Sequence, residues 1–261
     1  MNDCDDLRDL QLAGVQWEIE DTPITLRAHA ATAAQTAATP STAAPKAAGV
    51  ATQHAATTNT IAVPPIAPVA HDSAEKIAAA AGTIAELIAE LRGFEHPLRA
   101  TATTVVMPHI AENQGPLMIL TDGPGADDDA AGKILTGAGG ELLDKMLGAI
   151  GLSRDVVSIV PMLFWRTPGG RSPSRVELDL ARPFVMRMIE MIAPRAILSL
   201  GTLPAGEVAG LNLAKSHGVR TDVLGRPFMP IYHPNYLMLK PATKRDAWGA
   251  LQELQNLLKT L

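Results

Sequence analysis

Residues 117–125, LMILTDGPG, decide the fold, because they join a run of apolar residues to a glycine-rich turn. The apolar run is typical of a buried β-strand, and the turn residues end it. Gly123 and Gly125 carry no Cβ, so the backbone of the turn can approach a ligand closely. Three carboxylates follow at residues 127–129. Open α/β sheets build their ligand sites where a strand ends in such a turn.

Strands and helices alternate on either side of this segment. Strands are predicted at residues 117–121, 156–160, 196–200 and 227–232, and helices at residues 76–91, 140–150, 175–192, 203–209 and 243–258. The alternation predicts a three-layer α/β/α domain built on a four-stranded parallel sheet. Ligand-binding residues should then gather at the carboxyl ends of the strands.

Composition divides the chain into three parts. Residues 1–28 contain a short, partly amphipathic pattern that predicts a helical segment, which could contact the domain or a protein partner. Residues 29–73 are mostly Ala, Thr and Pro and lack the large apolar side chains that offset the entropy of ordering. We therefore expect a disordered linker there. Residues 74–261 form the predicted globular domain, with Ser73 as a helix N-cap.

Charge and cysteine content limit the classes of protein. The net charge is −5, yet residues 166–261 carry thirteen basic and seven acidic side chains, which permits binding of phosphates. Cys4 is the chain's single cysteine, so neither an internal disulfide nor a cysteine-ligated metal cluster is expected. No apolar run approaches the roughly 20 residues that span a membrane, and the N-terminus is acidic. A cytoplasmic protein is the expectation.

Three segments together resemble the uracil-DNA glycosylase superfamily, and within it family 4 most. Residues 121–147, TDGPGADDDAAGKILTGAGGELLDKML, are similar to the family motifs GEGPGEEED and GxPFVGxAGxLLD. Residues 157–184, VSIVPMLFWRTPGGRSPSRVELDLARPF, resemble VYITNVVKCRPPGNRxPxxxEIxxCxPF. Residues 232–248, YHPNYLMLKPATKRDAW, resemble YHPAYLLR-P followed by KxxW. Their order and spacing imply the family's fold for residues 94–257.

The resemblance implies a catalytic site made of two acids and a histidine. Asp128 matches the family's acid beside the attacking water, although Asp is one methylene shorter than Glu. Asp122 matches the glutamate of GEGPG, and His233 matches the histidine that stabilises negative charge on the departing base. The alternatives are a packing role for His233 and, for the acidic run at residues 127–129, a solvated helix N-terminus where carboxylates are favoured anyway.

The chain departs from the family at the positions that recognise the base. The substrate-binding residues implied by the resemblance are Gly123, Pro124, Gly125, Leu135, Pro161 and Gly170. The family's uracil-binding asparagine falls on Pro161, a second asparagine on Gly170, and the stacking phenylalanine on Leu135. Proline has no side-chain amide and leucine has no π face, so discrimination between bases is expected to weaken.

The family's 4Fe–4S cluster is expected to be absent. Its four cysteines correspond here to Gly93 or a neighbour, His96, Trp165 and Ala181. Iron–sulfur clusters of this kind are held by cysteine thiolates, which these residues lack. We therefore predict no cofactor and no metal site.

The segment after His233 resembles a family loop that enters the DNA minor groove. The DNA-binding residues predicted are Asn235, Tyr236, Leu237, Met238, Lys240 and Arg171. Leu237 and Met238 would occupy the space that the base leaves, and Lys240 would hold a phosphate. The alternative for residues 237–239 is ordinary packing in the core.

Three functions from different classes follow. The first is a uracil-DNA glycosylase-like enzyme that flips a deaminated base and hydrolyses its N-glycosidic bond. The second is a relative without catalysis that binds DNA or a protein partner, for which the altered base-recognition positions argue. The third is a nucleotide-binding enzyme with phosphate on the Gly-Pro-Gly turn, which is disfavoured because no lysine or hydroxyl residue follows that turn.

Overall fold

The protein is described by a computed structural model that covers residues 68–112 and 115–261. The predicted segment 1–28 and the predicted linker up to residue 67 lie outside the described residues. The first described helix is Pro68–Ala80, so the last six residues predicted as linker are helical instead. No helix in the described part of the chain is long and apolar enough to cross a membrane.

Helices and strands alternate along the described residues. The helices are α1 Pro68–Ala80, α2 Ile84–Gly93, α3 Ala126–Ala131, α4 Gly137–Ala149, α5 Arg175–Ile192, α6 Thr202–Ala209, α7 Leu213–Ser216, α8 Pro234–Leu239 and α9 Lys244–Thr260. The strands are β1 Leu117–Thr121, β2 Val157–Pro161, β3 Ala196–Leu200, β4 Thr221–Val223 and β5 Arg226–Ile231. Short 3₁₀ turns occupy Pro97–Ala100, Arg154–Val156, Pro168–Gly170 and Pro241–Thr243.

The sheet has five strands in the order β2-β1-β3-β5-β4. The four predicted strands are all parallel to one another, which confirms the α/β class. The prediction of four strands was one short, because β4 pairs antiparallel with β5 at the edge of the sheet. The turn between them, Leu224-Gly225, has positive φ at both residues, as the type I′ turn of a two-residue hairpin requires. Strand β4 was missed because it has only three residues and leucine is no turn signal.

Pairing register brings the strand ends to one edge. Thr121 at the end of β1 lies between Pro161 of β2 and Leu200 of β3, and Ile231 of β5 pairs with Leu200. The segments that follow these strands therefore emerge side by side. This is the edge at which the sequence predicts ligand binding.

Both faces of the sheet are buried, which explains why its strands are apolar without interruption. Alternate side chains of β1 point to opposite faces. Met118 and Leu120 belong to the core that includes α1, α2 and α5 residues, whereas Leu117 and Ile119 belong to the core that includes residues of α4 and α9. The three-layer arrangement follows from these two cores.

The predicted helix at residues 76–91 is two helices. The chain breaks at Gly82 and restarts at Thr83, whose hydroxyl accepts a hydrogen bond from the backbone N–H of Glu86. Glycine is unfavourable in a helix interior and threonine is a good N-cap, so the break has a local cause. Apolar spacing alone conceals it, because the residues on both sides face the same core.

A pair of glycines in α4 tests the packing of this helix. A Cβ at Gly140 would overlap the backbone carbonyl of Leu135, whereas a Cβ at Gly148 would meet no atom within 4 Å. We expect Gly140→Ala to destabilise the protein by about 1–3 kcal/mol. Gly148→Ala, the matched control, should stabilise it by about 0.5–1 kcal/mol, because alanine favours the helix. Urea unfolding measures both, and equal effects of the two variants would contradict the assignment.

Candidate active site

A pocket of about 330 Å³ opens at the carboxyl edge of the sheet. Its size lies at the lower end of the range for small-ligand sites. The lining residues come from the end of β1, the turn after it, α3, the loop before α4, α4 itself and the segment after β5. They are Thr121, Asp122, Gly123, Gly125, Asp128, Ile134, Leu135, Thr136, Gly139, His233, Asn235, Tyr236 and Leu239.

Asp128 connects two loops of the pocket through three hydrogen bonds. Its Oδ2 accepts from the backbone N–H of Gly125 at 3.0 Å, as the N3 residue of a helix capping box does. Its Oδ1 accepts from the backbone N–H and from the hydroxyl of Thr136, both at 2.7 Å. The carboxylate is buried, and most of its acceptor capacity is used within the protein.

Asp122 follows β1 directly and keeps more of its carboxylate free. Its Oδ1 accepts from the backbone N–H of Leu203 at 3.0 Å, and its side chain lies over Gly201, where a Cβ would overlap it. Gly201 has φ +105°, a conformation that favours glycine. Burial raises the pKa of Asp122 to about 6, against the lowering effect of the Leu203 N–H.

His233 is held as a neutral imidazole. It is the N-cap of α8, and its Nδ1 accepts a hydrogen bond from the backbone N–H of Asn235 at 3.2 Å. The proton of the neutral ring is therefore on Nε2. Burial lowers the pKa of His233 to about 4, although the charge of Asp128 acts to raise it. At neutral pH the ring offers an N–H donor without a positive charge.

The structure brings most of the predicted catalytic and turn residues to this pocket. Asp122, Asp128, His233, Gly123 and Gly125 all line it. Among the predicted base-contacting residues, Leu135 also lines it and has φ +53°, whereas Pro124, Pro161 and Gly170 do not. Pro161 is buried at the end of β2, and Gly170 is exposed in the Pro168–Gly170 turn.

The predicted DNA-binding residues fall into different environments. Asn235 and Tyr236 line the pocket, and Lys240 lies beside it with its Nζ 5.3 Å from the ring centre of Tyr236. Leu237 is 2% exposed, so its side chain is part of the core, as the alternative interpretation had it. Met238 is 38% exposed.

Arg171 is engaged with a carboxylate rather than placed in the pocket. Its guanidinium donates to both carboxylate oxygens of Glu177, at 2.6 and 2.9 Å. Arg171 is absent from the pocket lining. Contact with DNA at this position would require a surface that extends beyond the pocket.

The positions of the family's cluster-binding cysteines hold a packed aromatic core. The rings of His96 and Trp165 are stacked with centroids 4.4 Å apart, and Ala181 is buried in the same core. The Nε2–H of His96 donates to the carbonyl of Glu177 at 3.0 Å, and burial lowers the pKa of His96. Stacked rings fill this space and present no thiolate, so these residues do not fit an iron–sulfur cluster.

Sequence reasoning missed five pocket residues, which are Thr121, Ile134, Thr136, Gly139 and Leu239. The hydroxyl of Thr136 donates a hydrogen bond to Asp128. Leu239 is 80% exposed at the pocket rim, so its side chain is more accessible to a ligand than that of Leu237. Gly139 lies directly against the side chain of Asn235. The sequence did carry a signal for Gly139 and Asn235. The family motifs GxPFVGxAGxLLD and YHPAYLLR have alanine at these two positions, and this chain differs from the motifs at both.

Comparison with known proteins agrees with this geometry. Residues 107–255 match the family model of the uracil DNA glycosylase superfamily. The chain is 30% identical over 141 residues to the type-4 uracil-DNA glycosylase of Pyrobaculum aerophilum, covering 50% of this chain and 71% of that protein. It is 28% identical over 159 residues to that of Archaeoglobus fulgidus (57% and 79%), and 31% over 146 residues to that of Thermotoga maritima (54% and 76%).

The titration of His233 can be measured directly. We expect its ring to titrate near pH 4 and not between pH 5 and 8, because burial disfavours the cation. Asp128→Asn should lower the midpoint further, since the charge of Asp128 favours the imidazolium. NMR titration of the ring protons, assigned with a His233→Gln variant, gives both values. A midpoint of 6.5 or above would contradict the described environment.

Iron analysis tests the predicted absence of a cluster. The full-length protein, purified without oxygen, is expected to carry no stoichiometric iron and no visible absorption band, because the four positions offer no thiolate. Elemental analysis and an absorption spectrum are the measurements. One type-4 relative prepared in parallel serves as the comparison. Stoichiometric iron in this chain would overturn the prediction.

Proposed function

The chain belongs to the uracil-DNA glycosylase superfamily, and from that premise we propose that it hydrolyses the N-glycosidic bond of a deaminated base in DNA. Its similarity to proteins named type-4 uracil-DNA glycosylase supports base excision in DNA repair. The observation that carries the proposal is the neutral His233, which shares one pocket with two carboxylates. This hydrolysis needs a hydrogen-bond donor for the departing base and a carboxylate that accepts a proton from the attacking water.

His233 would stabilise the departing base. As the bond between C1′ and the base nitrogen breaks, its electron pair moves into the base, and negative charge develops on a ring carbonyl oxygen. The Nε2–H of His233 can donate to that oxygen without giving up its proton. A donor fixed in place costs no reorganisation as the charge develops. The Asn235 N–H fixes this donor by holding Nδ1.

Asp122 is the carboxylate better suited to the attacking water. The sequence assigned the water to Asp128, but three hydrogen bonds hold that carboxylate in a connecting role. Asp122 accepts one hydrogen bond, and its pKa of about 6 is close to neutral pH, where a general base is effective. It would take one proton of the water while the oxygen bonds to C1′, and the departing base is protonated by solvent.

The pocket rim would contact the DNA. Met238 and Leu239 are exposed apolar side chains at one end of α8, next to the site. Apolar side chains at such positions can fill the gap that an extruded base leaves in the duplex. Lys240 follows them and is suited to a phosphate contact.

A second candidate function is DNA or protein binding without catalysis. It is favoured by one observation: Pro161 and Gly170, where the resemblance implies amide side chains, carry none and lie outside the pocket. Nucleotide binding at the Gly-Pro-Gly turn is disfavoured, because residues 127–129 place three carboxylates there and would repel phosphate.

Single-turnover cleavage of uracil-containing oligonucleotides separates the two candidates. We expect the wild type to cleave, and His233→Ala to lower the rate by about 100- to 1,000-fold, as removal of an oxyanion donor does. Asp128→Ala should lower the cleavage rate less than His233→Ala, because the carboxylate of Asp128 holds the pocket loops in place rather than contacting the departing base. A wild type that is inert on uracil, hypoxanthine and xanthine but still binds DNA would favour the second candidate.

The pH profile tests Asp122. The cleavage rate of the wild type should fall as pH drops below about 6, because protonation removes the base form of Asp122. Asp122→Asn should lower the rate by about 100-fold or more and flatten this limb of the profile. Asp222→Asn, a change of an exposed aspartate on β4, is the control and should leave both unchanged. An unaltered acid limb in Asp122→Asn would reject the assignment.

Lys240→Ala tests the phosphate contact. DNA affinity should weaken to a similar extent for every base at the target position, and the salt dependence of binding should become less steep by about one unit. Fluorescence anisotropy across a salt series measures this. Loss of affinity for uracil-containing DNA alone would place Lys240 at the base instead.

A further inference from the structure

The side chain of Asn235 is exposed and lies at the mouth of the pocket. It lines the pocket beside His233 and Tyr236. Its backbone N–H holds His233, but within the described part of the chain its side-chain amide has no hydrogen-bond partner. An amide carries two donors and two acceptor lone pairs, and hydrogen bonds to the described residues use none of those of Asn235.

A glycine on the facing helix makes room for this amide. A Cβ on Gly139 would overlap Oδ1 of Asn235 and would lie 3.1 Å from its Cγ. Gly139 lies inside α4, and its φ is outside the left-handed range that favours glycine, so its backbone would accept alanine. Helix propensity would favour alanine there. The space beside Gly139 is therefore occupied by the side chain of Asn235, and the local backbone would not exclude alanine.

The neighbouring glycines show that this case is specific. Gly140 is required by the backbone carbonyl of Leu135, and Gly137 has φ +66°. Gly137 faces the side chain of Asp127 and Gly139 faces that of Asn235, and of these two only Gly139 has φ outside the left-handed range. Seating the amide against α4 also restricts its rotamers, which lowers the entropy lost when it binds a ligand.

We propose that Asn235 is the residue that recognises the target base, by pairing its amide with the base's Watson–Crick edge. The proposal rests on the glycosylase function and deepens it. Deaminated bases present a carbonyl oxygen beside a ring N–H, and the amide complements them: Nδ2–H donates to the oxygen and Oδ1 accepts from the N–H. Uracil, hypoxanthine and xanthine share this edge, so one amide can pair with each of them.

This assignment accounts for the losses elsewhere. Pro161 and Gly170 supply no amide to the pocket, and α8 supplies one from a different element of the fold. Tyr236, next to Asn235 in α8, lines the same pocket and provides the aromatic ring that Leu135 lacks. Aromatic rings are suited to stack on an extruded base.

A double-mutant cycle on Gly139 and Asn235 tests the proposal. Single-turnover cleavage of single-stranded uracil oligonucleotides should be slowed about 5- to 150-fold by Asn235→Ala, the effect of losing one bidentate base contact. Gly139→Ala should slow it in the same direction, because the new Cβ displaces the amide. In the Asn235→Ala background, Gly139→Ala should have no further effect, since the overlap is gone.

Two further measurements exclude a merely structural role. Asn256→Ala, on the exposed side of α9, is the matched control and should leave cleavage unchanged. Affinity for a uracil oligonucleotide relative to the same oligonucleotide with cytosine should fall to near unity in Asn235→Ala. Affinity for an abasic oligonucleotide should not change, because no base edge is present.

The outcomes separate this inference from the function on which it rests. A wild type that cleaves, with Asn235→Ala as fast and as selective, overturns the inference and leaves the function intact. Additive effects of the two substitutions also overturn it. A wild type that cleaves nothing but prefers uracil to cytosine through Asn235 overturns the function and supports the inference. A wild type without that preference overturns the inference.

Discussion

The buried carboxylate of Asp128 is the interaction on which the pocket depends. Through the backbone N–H of Gly125 it sets the turn that leaves β1, and through Thr136 it sets the loop that enters α4. That loop contains Leu135 at positive φ, whose carbonyl lies where Gly140 would otherwise carry a Cβ. Leucine at positive φ is strained, and such a conformation persists only where neighbours determine it. Asp128 thus acts on the pocket chiefly through geometry and through its field on His233.

Sequence predicted the parts of the fold that local physics determines. Strands β1 and β3 were predicted with the bounds that the structure has, because buried strands flanked by turn residues leave an uninterrupted apolar signal. Helix α5 was also predicted with its observed bounds, and Ser174 and Glu177 form a capping box at its start. It missed β4, whose pairing depends on β5, and the break at Gly82, because the apolar spacing continues across it. Convergence of the motifs was predictable, since parallel strands end at one edge.

The chemistry of the site required tertiary information. Sequence places Asp122, Asp128 and His233 in one site but does not rank the two acids. The hydrogen bonds rank the two acids. Asp128 accepts three of them, whereas Asp122 accepts one, and burial raises the pKa of Asp122 to about 6. The contact between Gly139 and Asn235 joins residues almost a hundred positions apart, and no local pattern in the sequence reveals it. The departure of both from the resembling motifs becomes informative once their proximity is known.

The aromatic core around Trp165 fills the positions at which the sequence resemblance implies cluster-binding cysteines. His96 and Trp165 stack, and Phe94 packs edge-on against Phe184 with ring centroids 5.0 Å apart. Each such pair contributes about 0.5–1.5 kcal/mol beyond the area that it buries. His96 also joins the loop before Pro97 to α5 through the carbonyl of Glu177. The neutral ring of His96 donates from Nε2 to the carbonyl of Glu177 and accepts at Nδ1 from the N–H of Leu98. Protonation of Nδ1 would therefore break the hydrogen bond from Leu98. Below pH 6.5 the unfolded chain takes up this proton and the folded chain resists it, so the stability that His96 contributes declines as pH falls. In this chain, ring packing and the protonation state of His96 together set the strength of the connection.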